Sequence, residues 1–186
     1  TVIVDIVPVG NGATGIPLLK EWNFNRYKKL ESKLDTENGY VFDNYNNVLE
    51  YGYGYAANPK ALRVSLSDNL NSAGTEPASK SHSPIIGFAY DGNPIYGAFG
   101  YQDPLDSTSS IIRMTSSYSI NGNRSEGPDL TTYPIGTFVN DYTYTHKSGT
   151  LDENNGRFCI TPDFPQGTYA YFITIDSNQV PQYPYI

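Results

Sequence analysis

The sequence predicts a mainly β domain, built from antiparallel sheets in a sandwich-like arrangement with long loops and two or three short helices. Its 186 residues include 17 tyrosines, 17 glycines and 13 prolines, a composition typical of β-rich domains with an aromatic interior. Apolar residues occur in short runs of strand length, and clusters of Gly, Pro, Asn and Asp separate these runs. A chain of this length can enclose one substantial core.

Residues 1–15 are predicted to form an N-terminal strand and a glycine-rich linker, and residues 16–186 the β domain. Val2, Val4 and Ile6 alternate as in a strand. The stretch that follows, Gly-Asn-Gly-Ala-Thr-Gly, is too rich in glycine for a strand and lacks the Gly-Lys-Ser/Thr ending of a phosphate-binding loop. The sequence begins without methionine or a signal-like segment, so either a preceding segment has been cleaved away or the chain is part of a longer polypeptide. The strand-like alternation at its start favours the second alternative.

Two short helices are predicted in the first third of the chain. Apolar residues at helical spacing within residues 25–34 predict the first. The second is predicted to begin at Asn58-Pro59 and to continue to Leu66. Asparagine is a favourable helix cap and proline fits the first helical position, so this dipeptide is a typical helix start.

The strands are predicted from alternation and from turn residues. Residues 40–55 are predicted to form a strand, an Asn-rich turn and a second strand, and residues 85–96 a similar hairpin around an Asp-Gly-Asn-Pro turn. Residues 137–145 alternate clearly, and residues 168–175 form the last predicted strand. The proline-containing tail, residues 181–186, is predicted to be an extended arm.

Residues 82–101 are predicted to lie at the centre of the fold. The segment contains four glycines, two prolines and five aromatic residues around one Asp and one His. We expect His82 to make a structural hydrogen bond, with ligand binding or catalysis as the alternative. Asp91 is expected to accept a backbone N–H within its own turn. Together with Tyr96 and Tyr101, these two residues are our candidate binding residues in this segment.

The two ends of the chain suggest assembly with other subunits. A strand at residues 1–9 would present an unpaired edge, and an extended arm at residues 179–186 would expose aromatic surface. Tyr183 and Tyr185 are therefore further candidate binding residues, as aromatic anchors against a neighbouring subunit.

The sequence gives little indication of a metal site. The two histidines, His82 and His146, are far apart and have no nearby His or Cys partner, so no transition-metal site is predicted. Asp152 and Asn154 place oxygen atoms at alternating positions before Gly156. This pattern fits an Asx-rich turn, or a calcium site that lacks most of the usual twelve-residue ligand set. No other cofactor is predicted.

Charge and composition exclude several functions. The net charge of -7 argues against nucleic-acid binding, which needs clustered Lys and Arg. No apolar run is long enough to span a membrane. The only cysteine, Cys159, excludes an internal disulfide, and its apolar neighbours predict a buried, inert thiol.

Several motifs, in order along the chain, closely resemble those of the YHYH-domain family. The central match is residues 82–101, with His-Ser-Pro followed by Asp-Gly-Asn-Pro-Ile-Tyr-Gly. The other matching segments are residues 53–63, 67–69, 112–118, 151–157 and 161–169. The resemblance therefore covers the chain from about Phe42 to Ile186 through independent motifs.

The chain departs from the family at its name-giving histidines. Gly54 and Ala56 stand where the first pair of histidines would be, and Ala170 and Phe172 occupy the similar later block. Asn154 stands where the family often has Cys. If those histidines bind a metal in other members, this chain lacks the ligands.

The resemblance implies two functions. Histidine-depleted versions occur in virion proteins of tailed phages of marine cyanobacteria, which implies a non-enzymatic baseplate or tail-fibre module. Its location would be the virion, and its partners other virion subunits, copies of itself or a host-surface glycan. Histidine-bearing members imply the alternative, a secreted extracellular or periplasmic metal-binding domain or metal-dependent enzyme. The missing histidines favour the first, and the many Tyr and Asn residues suit recognition by stacking and hydrogen bonding.

Overall fold

The computed structural model of the protein describes residues 22–43 and 51–185. The architecture is mainly β, with several small sheets and short helices, as the sequence predicted. The strand predicted at residues 1–9 and the linker after it lie outside the described residues, as does most of the Asn-rich turn of the first hairpin. No described helix combines the length and hydropathy needed to cross a bilayer.

The elements of the described chain follow one another in this order. They are α1 (Arg26–Leu30), a 3₁₀ turn (Glu31–Lys33), β1 (Gly39–Asp43), β2 (Tyr51–Tyr55), α2 (Lys60–Ser65), β3 (Ile85–Phe88), β4 (Pro94–Tyr96), β5 (Phe99–Tyr101), β6 (Ile111–Arg113), β7 (Tyr118–Ile120), a second 3₁₀ turn (Val139–Asp141), β8 (Tyr142–Tyr144), β9 (Gly156–Cys159) and β10 (Thr168–Phe172). Both predicted helices and both predicted hairpins are confirmed.

One four-stranded sheet organises the fold, with the strand order β3-β4-β10-β9. Three antiparallel pairs, β1-β2, β5-β6 and β7-β8, surround it. Within the central sheet β4 and β10 run parallel, whereas the other strand pairs of the described chain are antiparallel, so the fold is mostly antiparallel as predicted. Parallel neighbours need a long crossover connection, and residues 97–167 provide it.

The core lies on both faces of the central sheet. Adjacent residues of β4 point to opposite faces, so Ile95 and Tyr96 enter different apolar clusters. The first cluster contains Ile86, Ile95, Ala98, Phe99, Ile173 and Ile175. The second contains Tyr96, Met114, Leu151, Cys159, Ala170 and Phe172. All of residues 94–100 are buried, which confirms the central position predicted for this segment.

A buried polar network fastens α2 to the centre of the fold. Arg63 and Asp68 are both fully buried, and Arg63 Nε donates to Asp68 Oδ2 at 2.7 Å. Arg63 Nη1 also donates to Asn58 Oδ1 at 2.8 Å and to Gln179 Oε1 at 2.7 Å. The Ser83 hydroxyl donates to the second oxygen of Asp68. A buried ion pair is tolerated when additional hydrogen bonds satisfy both partners, as they do here.

Two details of α2 and its surroundings follow from this network. The Asn58 side chain does not cap the helix, contrary to the sequence prediction, because its oxygen accepts from Arg63 instead. A β-carbon at Gly97 would overlap the Asp68 carboxylate and lie 2.8 Å from Ser83 Oγ. Glycine at this position therefore lets the central strand segment approach the ion pair.

The strand predicted at residues 137–145 is interrupted. The second 3₁₀ turn ends at Asp141, and only residues 142–144 form a strand. The Asp141 carboxylate accepts backbone N–H groups from Gly136 and Phe138 at 2.9 and 3.0 Å, and it is paired with Arg124 at 2.7 Å. This buried ion pair holds a turn where the alternation of residue types predicted a continuous strand.

The C-terminal tail folds back on the domain, so the predicted extended arm is wrong. Thr174 N donates to Tyr185 O at 3.2 Å, and Gln182 N donates to Thr174 O at 2.8 Å. Tyr185 is only 8% exposed, and its hydroxyl accepts a 2.8 Å hydrogen bond from Asn25 Nδ2. The burial of Tyr185 supports the fold of the monomer, so this side chain does not stand free to anchor a neighbouring subunit.

Candidate functional site

Three of the predicted site residues meet in one aromatic cluster. The His82 ring lies 5.1 Å from the Tyr96 ring and 4.9 Å from the Tyr101 ring, and Phe172 is 6.0 Å away. His82 Nδ1 is 2.8 Å from the Ser83 carbonyl oxygen, as expected for a structural hydrogen bond. Because a carbonyl only accepts, Nδ1 carries the proton, and the buried Nε2 has no partner among the described residues.

The cluster favours neutral groups. Burial lowers the pKa of His82, although the hydrogen bond to the Ser83 carbonyl opposes the shift. Burial also raises the pKa of Tyr96, whose hydroxyl lies 2.8 Å from Thr161 Oγ1 and donates to Asp163 Oδ2 at 3.0 Å. The Tyr96 ring is fully buried, so its hydroxyl serves the fold rather than an external ligand.

Cys159, Ala170 and Phe172 pack in the same apolar cluster as Tyr96, on one face of the central sheet. Cys159 is buried, as predicted, and burial raises the pKa of its thiol against the opposing effect of Arg157. The Arg157 guanidinium lies 5.5 Å from the Phe172 ring, and Nη2 donates to the Tyr101 carbonyl at 2.5 Å. Ala170 and Phe172, which stand at two histidine positions of the resemblance, are fully buried apolar residues here.

Asp91 lies apart from the His82 cluster. It is exposed on the turn between β3 and β4 and accepts the Asn93 backbone N–H at 3.0 Å, which confirms the predicted turn contact. It also accepts the Tyr171 hydroxyl at 2.7 Å. Tyr171 and Phe172 are successive residues of β10 and point to opposite faces, so Asp91 and His82 lie on different sides of the sheet.

The turn around Asp152 and Asn154 is an Asx-rich turn. Asp152 Oδ1 accepts backbone N–H groups from Asn154 at 2.9 Å and Gly156 at 3.1 Å, and Tyr169 donates its hydroxyl to the same carboxylate. Within residues 22–43 and 51–185, no group of three or more His, Cys, Asp or Glu side chains is placed to hold a metal ion.

A groove lined by tyrosines is bordered by the folded tail. It has a volume of about 460 Å³ and is walled by α1, the segments around β6, β7 and β8, and the tail. Five tyrosines face it, Tyr27, Tyr118, Tyr142, Tyr183 and Tyr185. The volume falls within the range of roughly 300–1,000 Å³ that is usual for small-molecule sites.

The tyrosine rings of the groove hold one another in place. Tyr142 and Tyr183 are stacked, with ring centroids 4.1 Å apart and an angle of 18° between the planes. Tyr118 meets Tyr183 edge-on at 5.1 Å, and Tyr27 lies 4.7 Å from Tyr185. Aromatic pairs at these separations contribute stability beyond the burial of their area, so the wall is formed before any ligand arrives.

The hydroxyl groups of these tyrosines differ. Asn25 Nδ2 donates to the hydroxyls of Tyr142 and Tyr185, and Tyr118 donates to the Glu153 carbonyl at 3.0 Å. The hydroxyls of Tyr27 and Tyr183 have no hydrogen bond to any described residue. Burial raises the pKa of Tyr183 to about 12, so this hydroxyl remains protonated and able to donate at neutral pH.

The formal charges around the groove balance. Lys28 and Arg113 line it, as do Glu31 and Asp176. Both cations are already paired, Lys28 with Glu31 at 3.2 Å and Arg113 with Glu76 at 2.6 Å. The groove therefore presents no unpaired positive charge to an anionic ligand.

The sequence pointed to Tyr183 and Tyr185 but missed the other three tyrosines of the groove. These come from segments separated by up to 115 positions, so no local motif joins them. The only signal was the excess of tyrosine. Ile120 and Val180, which are 52% and 49% exposed, add apolar surface to the groove and had no sequence signal of their own.

Comparison with protein families identifies a match. The sequence profile of the family described as YHYH protein matches residues 3–184, nearly the whole chain. No curated protein and no solved structure matches the chain.

Proposed function

This chain belongs to the YHYH protein family, and from that premise we propose that it is a non-enzymatic binding module, a structural or recognition component of a phage virion. The tyrosine-lined groove is the observation that carries the proposal. Rings from four distant parts of the chain face one open cavity of about 460 Å³. Tyrosine supplies a rigid apolar face together with a hydroxyl, which suits recognition by stacking and hydrogen bonding.

The ionisable groups of the groove support binding rather than turnover. The described residues that line it include no histidine and no cysteine. The Glu31 carboxylate is paired with Lys28, and Asp176 Oδ1 accepts backbone N–H groups from Asn178 and Val180 at 2.8 and 2.9 Å. These acids therefore serve local structure, whereas a general acid or base needs a shifted pKa and a free path to substrate.

The His82 cluster supports the same proposal. It lies at the centre of the predicted family motif, yet Tyr96 and Phe172 are fully buried and the Tyr96 hydroxyl is bonded within the fold. Apolar side chains fill positions 170 and 172, where the resemblance places histidine. In this chain the motif acts as a core element.

The virion setting rests on the resemblance of the histidine-depleted sequence to phage baseplate and tail-fibre proteins. In that setting the partners are neighbouring virion subunits, further copies of this chain, or a host-surface glycan. The groove and its exposed apolar residues Ile120 and Val180 are the surface that we assign to such contacts.

Immunogold labelling of purified phage particles, with an antibody against this chain, tests the proposal. We expect gold at the tail or baseplate of intact particles and a constant amount of the chain per particle. Its absence from purified particles, together with its presence in a bacterial culture supernatant, would overturn the proposal in favour of the secreted alternative.

Adsorption of particles to host cells tests the role of the groove. Tyr183→Ala should weaken adsorption of the particles where the groove contacts a host glycan, and should lower the amount of the chain per particle where the groove contacts a neighbouring subunit. Tyr90→Ala is the matched control, because Tyr90 is 84% exposed and does not line the groove. Equal adsorption by both variants would remove the groove from the recognition role.

A further inference from the structure

We propose that the groove binds an uncharged sugar, a hexopyranose unit of one or two rings, with the tyrosine wall against the apolar face of the ring. This inference rests on the proposed recognition function and names its ligand class. Three properties of the groove favour this ligand: half-buried tyrosine rings, hydroxyls without a partner among the described residues, and lining cations that are already paired.

The aromatic wall fits a pyranose ring. One face of a hexopyranose presents C–H groups, while its hydroxyls project around the edge. Tyr118, Tyr142 and Tyr183 are half-buried, so parts of their rings remain open to the groove. A C–H face packs on such rings as another aromatic edge does, without removing a hydroxyl from hydrogen bonding.

The hydroxyls without partners fit the edge of the same ring. Tyr27 and Tyr183 each offer a phenolic O–H that makes no hydrogen bond within the described chain. A phenol both donates and accepts, as a sugar hydroxyl does, so each can form a hydrogen bond with the ligand. An apolar ligand would leave both phenols without a partner, which disfavours a purely aliphatic or lipid occupant.

The charge balance selects an uncharged sugar. Lys28 and Arg113 are each paired with a glutamate, and Asp176 adds a negative charge nearby. A sulfated or uronic-acid sugar would meet no unpaired cation, and the net charge of -7 would repel it further. The volume of about 460 Å³ lies in the lower part of the usual range for small ligands, which suits one or two sugar rings.

The groove is also organised in advance. The Asn25 side chain holds the hydroxyls of Tyr142 and Tyr185, at 3.3 and 2.8 Å from Nδ2. Tyr183 is fixed between Tyr142 and Tyr118 by ring contacts at 4.1 and 5.1 Å. Because these side chains need little ordering on binding, a weak single-site sugar contact remains measurable.

Titration of the intact, isotope-labelled chain with maltose, cellobiose and N,N′-diacetylchitobiose, followed by NMR, tests the inference. We expect at least one of these to bind with a dissociation constant on the order of 1 mM or tighter. The shifted signals should belong to residues of the groove. A sulfated disaccharide of the same size should not bind.

Variants that keep the fold assign the contacts. Tyr183→Phe and Tyr27→Phe retain the rings and should each weaken binding by roughly 2- to 10-fold, the loss expected for one hydrogen bond. Tyr183→Ala should weaken it by more than about 10-fold, and Tyr90→Ala should leave it unchanged. Unfolding midpoints of the two Phe variants should equal that of the parent chain.

Two results would overturn the inference. One is the absence of binding by all three sugars up to about 20 mM, well above the expected dissociation constant. The other is binding that Tyr183→Ala leaves unchanged. If gold labelling still places the chain in the particle, the recognition function stands, and a polypeptide of a neighbouring subunit becomes the ligand of the groove.

Discussion

The His82 cluster and the tyrosine-lined groove are both built from aromatic rings at similar separations, yet only one of them is open. Ring centroids lie 4.9–6.0 Å from His82 in the cluster and 4.1–5.8 Å from Tyr183 in the groove. The difference lies in the hydroxyls. Tyr96 is fully buried and bonds to Thr161 and Asp163, whereas the Tyr183 hydroxyl has no partner in the described chain.

In this contrast the two tyrosines differ in the partner of the hydroxyl rather than in the packing of the ring, and our proposal assigns the binding role to the tyrosine whose hydroxyl has no partner in the described chain. A buried phenol without a partner is costly, so evolution pairs it or places it where a ligand can pair it. The same residue type thereby serves stability at the centre of the fold and, in our proposal, recognition at the edge.

We expect the largest effect from removing the buried charge of Asp68, which pairs with Arg63 and accepts a hydrogen bond from Ser83 beside the His82 cluster. Asp68→Asn should lower the free energy of unfolding by about 3–5 kcal/mol, because it leaves the buried Arg63 without its counter-charge. Urea denaturation measures the loss. Glu31→Gln, in the exposed pair with Lys28, is the control and should change stability little. A small effect of Asp68→Asn would mean that the network does not support the core.

The folded tail gives the next largest effect. Tyr185→Ala should destabilise the monomer by about 3 kcal/mol, since it removes a buried aromatic ring and the partner of Asn25. The shift in the thermal unfolding midpoint of the monomer measures this loss of stability. If the variant keeps its unfolding temperature and instead loses association with other subunits, the tail is an anchoring arm after all.

Matched Tyr→Phe changes compare the two regions directly. Tyr96→Phe should lower stability by about 1–2 kcal/mol, because Thr161 and Asp163 lose a hydrogen-bond partner. Tyr183→Phe should leave stability unchanged, because its hydroxyl has no partner in the described chain to lose. Equal losses for the two variants in urea denaturation would erase the distinction between core and site.

The pH dependence of stability gives the smallest effect. Burial holds the pKa of His82 below its ordinary value of 6.5, against the opposing effect of the Ser83 carbonyl, so the unfolded chain binds the proton more readily. The charge of Arg157 also lowers the pKa of His82, whereas the carboxylates of Asp163 and Asp68 raise it.

Stability should therefore fall as the pH drops below about 6.5, by at most about 1 kcal/mol down to pH 5.5. Denaturation of the parent chain and of His82→Gln over this range measures the difference. The free energy of unfolding of His82→Gln should fall less than that of the parent chain between about pH 6.5 and pH 5.5. An identical slope in the two proteins would show that the imidazole is not held neutral by the fold.

Local signals predicted much of this fold. The Asp-Gly-Asn-Pro turn fixed the β3-β4 hairpin, and Asn58-Pro59 marked the start of α2, although Asn58 bonds to Arg63 rather than capping. These features depend on neighbouring residues alone. Because they lie in one segment, His82, Tyr96 and Tyr101 could also be predicted as a group.

Features that depend on distant partners could not be predicted. The turn at Asp141 exists because Arg124 reaches it, and the tail folds back because Asn25 and Arg63 bind Tyr185 and Gln179. Alternation and proline content carry no information about such partners. The groove was missed for the same reason, since its tyrosines meet only after the chain is folded.

The parallel pairing of β4 with β10 has a consequence for the order in which the protein can form. On the ribosome, β4 (Pro94–Tyr96) is made long before β10 (Thr168–Phe172), the strand that pairs with it. The central segment therefore remains without its neighbour until most of the chain has been synthesised, and closing a loop of this length is slow. A nascent chain that has released residues 94–96 from the ribosome but not yet residues 168–172 should expose an apolar strand to chaperones, and release of β10 should end this exposure.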